Sequence, residues 1–150
     1  MTNESSLRDA IRERKSAVAA VEAAKADAEK KRQEVEAFVR QRWPTCEQLL
    51  REAIVDGNKY LSEGGDGESF AYRPMPQPGV NVAAGVIRLQ KSTGAMIVEA
   101  ALKVTTLGEI IQSQRRLARP FDERFRVENC TRPLWDQMLT KLFKRYPPTV

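Results

Sequence analysis

The chain has 150 residues, is 41% hydrophobic and 30% charged, and carries a net charge of +5 with no histidine. This length predicts a single domain over residues 1–150. The lack of histidine excludes Ser-His-Asp and Cys-His catalysis and removes the commonest nitrogen ligand for zinc. No apolar run reaches the ~18 residues of a membrane span, so no membrane association is expected.

The N-terminus and the cysteines together indicate a cytoplasmic protein. Met1–Ser6 lacks the basic stretch and apolar run of a secretory signal. Cys46 and Cys130 are far apart in sequence and form no CxxC motif, which is typical of a reducing compartment. Each thiol is expected to be a small buried hydrophobic group.

Residues 6–42 are predicted to form one long helix. Ser6 and Asp9 have the spacing of a capping box, and neither Gly nor Pro occurs from Leu7 to Arg42. At ~1.5 Å per residue the helix would be ~55 Å long, whereas a compact domain of this size is roughly 38 Å across. We therefore expect residues 1–43 to be a helical arm that projects or pairs.

The apolar residues of this helix form an interrupted coiled-coil seam. Steps of three and four from Leu7 to Arg42 give eleven positions, of which seven are apolar and four basic, whereas a coiled coil has apolar residues at nearly all of them. The residues expected at a partner-helix interface are Leu7, Ile11, Val18, Val21, Ala28, Val35, Val39 and Trp43. A solvated helix that packs partly on its own domain is the alternative.

Pro44 is expected to break or kink the long helix, because proline lacks an N–H and disfavours helix at the preceding residue. Thr45 and Gln48 have the spacing of a second capping box, so a second helix is predicted over residues 46–61. The Gly-rich segment that follows, residues 62–69, is predicted to be a loop.

Four stretches are predicted to be strands: residues 69–73, 80–90, 95–105 and 121–128. The two central stretches alternate apolar and polar residues and flank a turn at Lys91–Gly94, which indicates a hairpin. Gly85 lies where the alternation changes phase, so a β-bulge is expected there.

Two further helices are predicted after the hairpin. Thr106 and Glu109 have capping-box spacing before a helical pattern, which predicts a helix at residues 107–118. Pro133 fits the first turn of a helix over residues 133–146, whose broad apolar face would cover the sheet. The predicted fold is α+β, with a three- to four-stranded, mainly antiparallel sheet.

Positive charge is concentrated in the second half of the chain. Residues 1–75 contain 13 basic and 14 acidic residues, and residues 76–150 contain 12 and 6. The possible anion-binding residues are Arg115, Arg116, Arg119, Arg124 and Arg126. Strand alternation would place Phe121 and Phe125 on the opposite face from the last two arginines, away from any bound bases. Three interpretations of these arginines stay open: a solvated face, a phosphate or nucleic-acid contact, and a contact with an acidic protein surface.

No catalytic set, metal site or cofactor motif is identified. The leading hypothesis is a non-enzymatic interaction or assembly protein, in which the long helix forms a homo-oligomer, preferably a dimer, or binds a larger protein. The first alternative is a nucleic-acid-associated accessory protein that uses the C-terminal arginines. The second is a small enzyme, whose acid–base residues would come from Glu99, Glu109, Asp122 and Glu123, or from a tyrosine or a lysine.

Overall fold

The structure is a computed structural model that describes residues 3–114 and 121–144, with residues 3–5 and 121–122 described only as backbone. The described residues form two α-helices and five strands, with a short 3-10 turn at Val127–Asn129. The helices are α1 (Asn3–Gly64) and α2 (Arg132–Lys144), and the strands are β1 (Glu68–Pro74), β2 (Ala83–Lys91), β3 (Met96–Val104), β4 (Glu109–Gln114) and β5 (Phe121–Arg126).

Contacts within the chain divide it into two compact units, Met1–Val35 and Glu36–Val150. The first unit contains the N-terminal half of α1. The second contains the rest of α1, the sheet and α2. The α+β class and the long N-terminal helix agree with the sequence prediction.

Helix α1 does not end at Pro44, which corrects the predicted break and the separate helix at residues 46–61. The residues around Pro44 are held by burial. Val39, Trp43, Cys46 and Leu50 recur every three or four residues and are all buried. Their packing keeps the backbone helical across the proline, whose ring lies at an exposed position. The Thr45–Gln48 spacing therefore marks no helix start.

The five strands form one antiparallel sheet in the order β1-β2-β3-β4-β5, so each strand pairs with its neighbour in sequence. The predicted β2–β3 hairpin is present, and Gly94 N donates to Lys91 O at 2.8 Å in its turn. The strand expected at 80–90 begins at Ala83, and the strand expected at 121–128 ends at Arg126, before the 3-10 turn.

The helix predicted at residues 107–118 is wrong, because residues 109–114 form β4 and residues 115–118 lie outside the described residues. Gly108 has a φ of 90°, which starts a tight turn rather than a helix. Thr105 Oγ1 accepts from Glu109 N at 3.1 Å within this turn. Because Ile110, Ile111 and Gln112 are all buried, the alternation that would reveal a strand is absent from the sequence.

One face of the sheet meets both helices in the hydrophobic core. The register places Phe70, Leu89 and Val98 side by side on that face, and all three are buried. Trp135 of α2 packs edge-on against Phe125 of β5, with ring centroids 5.3 Å apart. Helix α2 therefore covers this face, as the sequence predicted for a helix at 133–146.

Gly85 is explained by close packing rather than by the expected bulge, which lies between Leu89 and Gln90. A Cβ atom at Gly85 would lie 2.8 Å from Tyr72 Cε1 and 2.9 Å from Arg73 O. Strand β1 can approach β2 this closely at position 85 only because that position has no side chain.

The outer edge of β1 is capped by a side chain from α1. Asn58 Nδ2 donates to Phe70 O at 3.1 Å, and Asn58 Oδ1 accepts from Phe70 N at 2.6 Å. The amide thus satisfies both backbone groups of Phe70 in place of a sixth strand. No helix in the described part of the chain has the length and hydropathy that a membrane span requires.

Candidate functional site

The first unit presents an apolar stripe of exposed side chains, which we call the α1 stripe. Leu7, Ile11, Val18 and Val21 are 63%, 48%, 50% and 53% exposed, and Val35 is 38% exposed. Ala28 lies between Val21 and Val35 in the same series and is also exposed. Every residue from Ser6 to Val35 is exposed, so this stretch contributes no side chain to a core within its own chain.

Two residues predicted for the partner interface belong instead to the core of the second unit. Val39 is fully buried, and Trp43 is buried against Trp135 with ring centroids 6.3 Å apart. Neither side chain is accessible to a partner helix while this core is formed. The candidate interface is therefore limited to Leu7, Ile11, Val18, Val21, Ala28 and Val35.

Basic residues interrupt the α1 stripe, and one of them is paired within the same helix. Arg32 NH1 lies 3.1 Å from Glu29 Oε2. Arg14 and Lys25 occupy the other two interruptions between Leu7 and Val35. A basic residue at a core position of a coiled coil lowers stability and restricts which pairings are possible.

Only two of the five predicted anion-binding arginines can be placed, because Arg115, Arg116 and Arg119 lie outside the described residues. Arg124 NH1 lies 3.6 Å from Glu109 Oε2. Arg126 Nε donates to Glu128 Oε2 at 2.7 Å, and its NH2 donates to Leu107 O at 3.1 Å. The Glu128 carboxylate raises the pKa of Arg126. Both placed arginines thus face protein acceptors.

The carboxylates considered for catalysis have structural partners. Glu99 Oε2 accepts from Arg88 Nε at 2.7 Å across β2 and β3. Glu109 pairs with Arg124, and Glu123 accepts from Lys141, while the Asp122 side chain lies outside the description. In the described part of the chain, no group of three or more Cys, Asp or Glu side chains is arranged to hold a metal ion.

The two cysteines meet inside the core, where both are free and buried. Cys46 Sγ donates to Val127 O at 3.8 Å, and Cys130 N donates to the same oxygen at 3.2 Å. The neighbouring Cys46 thiol, together with burial, raises the pKa of the Cys130 thiol, whereas the contact with Cys130 lowers the pKa of Cys46. The raised pKa and the burial of Cys130 are typical of a structural rather than a reactive thiol.

A pocket of about 450 Å³ lies in the second unit between the end of α1, β1 and α2. Its apolar walls include Phe70, Leu139 and Phe143. Its polar rim contains Asp56 and Asp136 on either side of Arg132. No single motif marks these residues in the sequence. The one signal that could have found the pocket is Gly57, an unfavourable residue inside a helix.

Polar side chains also lie on the core face of β4 and β5, which sequence analysis did not anticipate. Gln112 and Gln114 are 1% and 2% exposed. Gln112 Nε2, both amide atoms of Gln114, and Glu123 Oε2 have no hydrogen-bond partner among the described residues. Gln112 and Glu123 are direct neighbours across the two strands. An unpaired buried polar group costs about 1–3 kcal/mol.

Comparisons with known proteins identify no relative: no protein-family model matches the chain, and no curated protein or solved structure resembles it significantly.

Proposed function

We propose that this chain is a non-enzymatic assembly protein that forms a homodimer through the α1 stripe. The observation that carries the proposal is the exposure of Leu7, Ile11, Val18 and Val21 along one helix, each about half exposed or more. Helices in water draw most of their stability from packing an apolar face. Residues 6–35 obtain no such packing within one chain, and a second copy of the stripe would supply it.

Charges beside the stripe favour an antiparallel pair. Arg8 and Lys15 flank the N-terminal half of the stripe, and Glu22 and Glu29 flank the following half on the same side. If Val18 of one copy lies opposite Val21 of the other, Lys15 comes beside Glu22 and Arg8 beside Glu29. In the same register Arg14 lies opposite Lys25 of the other copy and Arg32 opposite Leu7, which gives two layers of like charge in the seam. A parallel pair in register would have three, with Arg14, Lys25 and Arg32 each opposite its own copy.

Sedimentation of the full chain over a range of concentrations tests the dimer. The Val18→Glu/Val21→Glu variant should be a monomer, because two carboxylates would enter the seam. The matched control is Ala20→Glu/Ala23→Glu, which adds the same charge at the same spacing on the opposite face and should dimerise like the wild type. A wild-type chain that stays monomeric at high micromolar concentration, with its helix intact, would refute the proposal.

Charge exchange tests the antiparallel arrangement separately. Lys15→Glu alone and Glu22→Lys alone should each weaken the dimer, because each places like charges side by side. The double variant Lys15→Glu/Glu22→Lys should restore it, because the pairs between copies are regained with their signs reversed. A double variant as weak as the sum of the two single changes would rule out this arrangement while leaving dimerisation itself intact.

A further inference from the structure

The pocket between α1, β1 and α2 has no role in the proposed dimer, yet its size is that of a ligand site. Its volume is about 450 Å³, within the range of ~300–1,000 Å³ typical of small-molecule pockets. Lining residues on α2 extend from Arg132 to Phe143, about 16 Å along the helix at 1.5 Å per residue. The pocket is therefore long enough for an elongated molecule.

One part of the pocket is apolar and open at its mouth. Phe70 and Leu139 are buried walls, whereas Tyr60 and Phe143 are 73% and 42% exposed. Gly57 lines the same space, and a Cβ atom there would lie 3.4 Å from the Phe70 ring. An aliphatic or aromatic chain that enters between the two exposed rings would bury apolar surface on both molecules.

The other part is charged, and each nitrogen of its arginine lies near a carboxylate. Arg132 Nε lies 3.3 Å from Asp136 Oδ1, Arg132 NH2 donates to Asp56 Oδ2, and Arg132 NH1 lies 3.9 Å from Glu52 Oε2. Each guanidinium nitrogen thus already faces a carboxylate, which leaves Arg132 poorly placed to bind an anionic ligand.

Among the described residues, carboxylates outnumber cations around this end. Glu52, Asp56 and Asp136 carry three negative charges, against Arg132 and the well-exposed Lys59, whose Nζ lies 3.9 Å from Asp56 Oδ1. Each carboxylate can accept about four hydrogen bonds, more than these contacts use. The free acceptor capacity and the excess negative charge match a cationic donor.

From this arrangement we infer that the pocket binds a cationic amphiphile, a molecule with an alkylammonium head and an apolar tail. The head lies beside Asp56 and Asp136, and the tail lies along Leu139 and Phe143 between the mouth rings. The site is separate from the α1 stripe, so ligand binding and dimerisation can be tested independently.

Three probes with the same octyl tail and different heads test the inferred class: octylammonium, nonanoate and octyl glucoside, each below its micellar concentration. Calorimetry on the full chain should show octylammonium binding at least about tenfold more tightly than nonanoate. Each methylene added between butylammonium and octylammonium should tighten binding by about fourfold. Nonanoate or octyl glucoside binding as tightly as octylammonium would overturn the inference, as would no binding of octylammonium.

Variants locate the site. Gly57→Leu fills the pocket and should weaken octylammonium binding at least about tenfold. Gly64→Leu places the same side chain in the same helix where no atom lies within 4 Å, and should bind like the wild type. If Gly57→Leu unfolds, Thr140→Trp at the exposed rim serves the same purpose.

Asp136→Asn should reduce the preference for the cation over octyl glucoside by at least about threefold. Unchanged binding in the folded filling variants, or an unchanged preference in Asp136→Asn, would contradict the assignment.

Discussion

Two glycines of the second unit differ in what their missing side chains leave room for. At Gly57 a Cβ atom would make an ordinary 3.4 Å contact with Phe70, whereas at Gly85 it would meet Tyr72 and a backbone oxygen below 3.0 Å. The first position tolerates a methyl group and the second does not. The same residue type is therefore replaceable in α1 and required in β2.

We predict that Gly57→Ala stabilises the protein by up to about 1 kcal/mol, the difference in helix propensity between the two residues. Gly85→Ala should destabilise it by about 1–3 kcal/mol, because the neighbouring strand must move away. Urea unfolding of both variants beside the wild type measures the two changes. A stable Gly85→Ala variant would show that β1 does not approach β2 as closely as described.

At the scale of elements, α1 shows burial overriding local preference. A proline inside a helix removes one backbone hydrogen bond and crowds the carbonyl of the preceding turn. The helix continues past Pro44 because Trp43, Cys46 and Leu50 are buried on one of its faces. Sequence rules that consider only neighbouring residues predict a helix end at Pro44. The contacts that keep the helix continuous come from residues far along the chain, which such rules do not include.

Pro44→Ala should therefore raise the free energy of unfolding, by up to about 3 kcal/mol. The proline is exposed, so the change removes no core contact. Thr45→Ala, at the exposed neighbouring position, is the control and should stay within about 0.5 kcal/mol of the wild type. Chemical denaturation measures both, and a less stable Pro44→Ala variant would mean that the proline shapes the helix in a way the core requires.

The ion pair between Asp56 and Arg132 links α1 to α2 and should make stability depend on pH. The hydrogen bond from Arg132 lowers the pKa of Asp56 in the folded protein. A lowered folded pKa contributes stability above the unfolded value of about 3.9, and that contribution is lost as the pH falls through the folded pKa.

Asp56→Asn should accordingly be less stable than the wild type near pH 6, and the difference in stability should begin to narrow at about pH 4 and close below the folded pKa of Asp56. Asp66→Asn, in the exposed loop before β1, is the control and should follow the wild type at every pH. Thermal melts across this range provide the measurement. If Asp56→Asn stays less stable than the wild type in acid, the lost stability comes from packing rather than from charge.

At the scale of the whole molecule, sequence patterns predict the elements that bury only one face. They do not predict elements that bury both faces, or sites whose residues come from distant parts of the chain. Residues 69–73 and 95–105 alternate clearly and form β1 and β3 with small shifts at their ends. Strand β4 was mistaken for a helix because Ile110, Ile111 and Gln112 are all buried. The pocket is formed by residues of α1, β1 and α2, so no local sequence pattern could predict it.

The same reasoning limits the candidate interface. The sequence spacing identified the α1 stripe as far as Val35 but could not separate it from Val39 and Trp43, which continue the apolar series into the core. Only three-dimensional contacts distinguish an apolar side chain that is exposed from one that is packed within its own chain.

Replacing the basic interruptions should strengthen the proposed dimer. In the Arg14→Leu/Lys25→Leu variant, apolar side chains occupy the seam, so we expect dimerisation to tighten at least about tenfold and the melting temperature to depend more strongly on concentration. Arg12→Leu/Lys30→Leu makes the same replacements away from the stripe and serves as the control. Sedimentation equilibrium distinguishes them, and equal dimerisation of the two variants would argue against the stripe as the contact.

The neighbour-by-neighbour strand order carries a consequence for biosynthesis. Because β1 to β5 pair only with adjacent strands, hairpins can join one at a time as the nascent chain leaves the ribosome. Helix α2 emerges after all five strands, and it brings Trp135, Met138 and Leu142 to close the core. On a ribosome stalled before Trp135, the apolar face of the sheet would still be exposed to solvent, and chaperones would be expected to bind it.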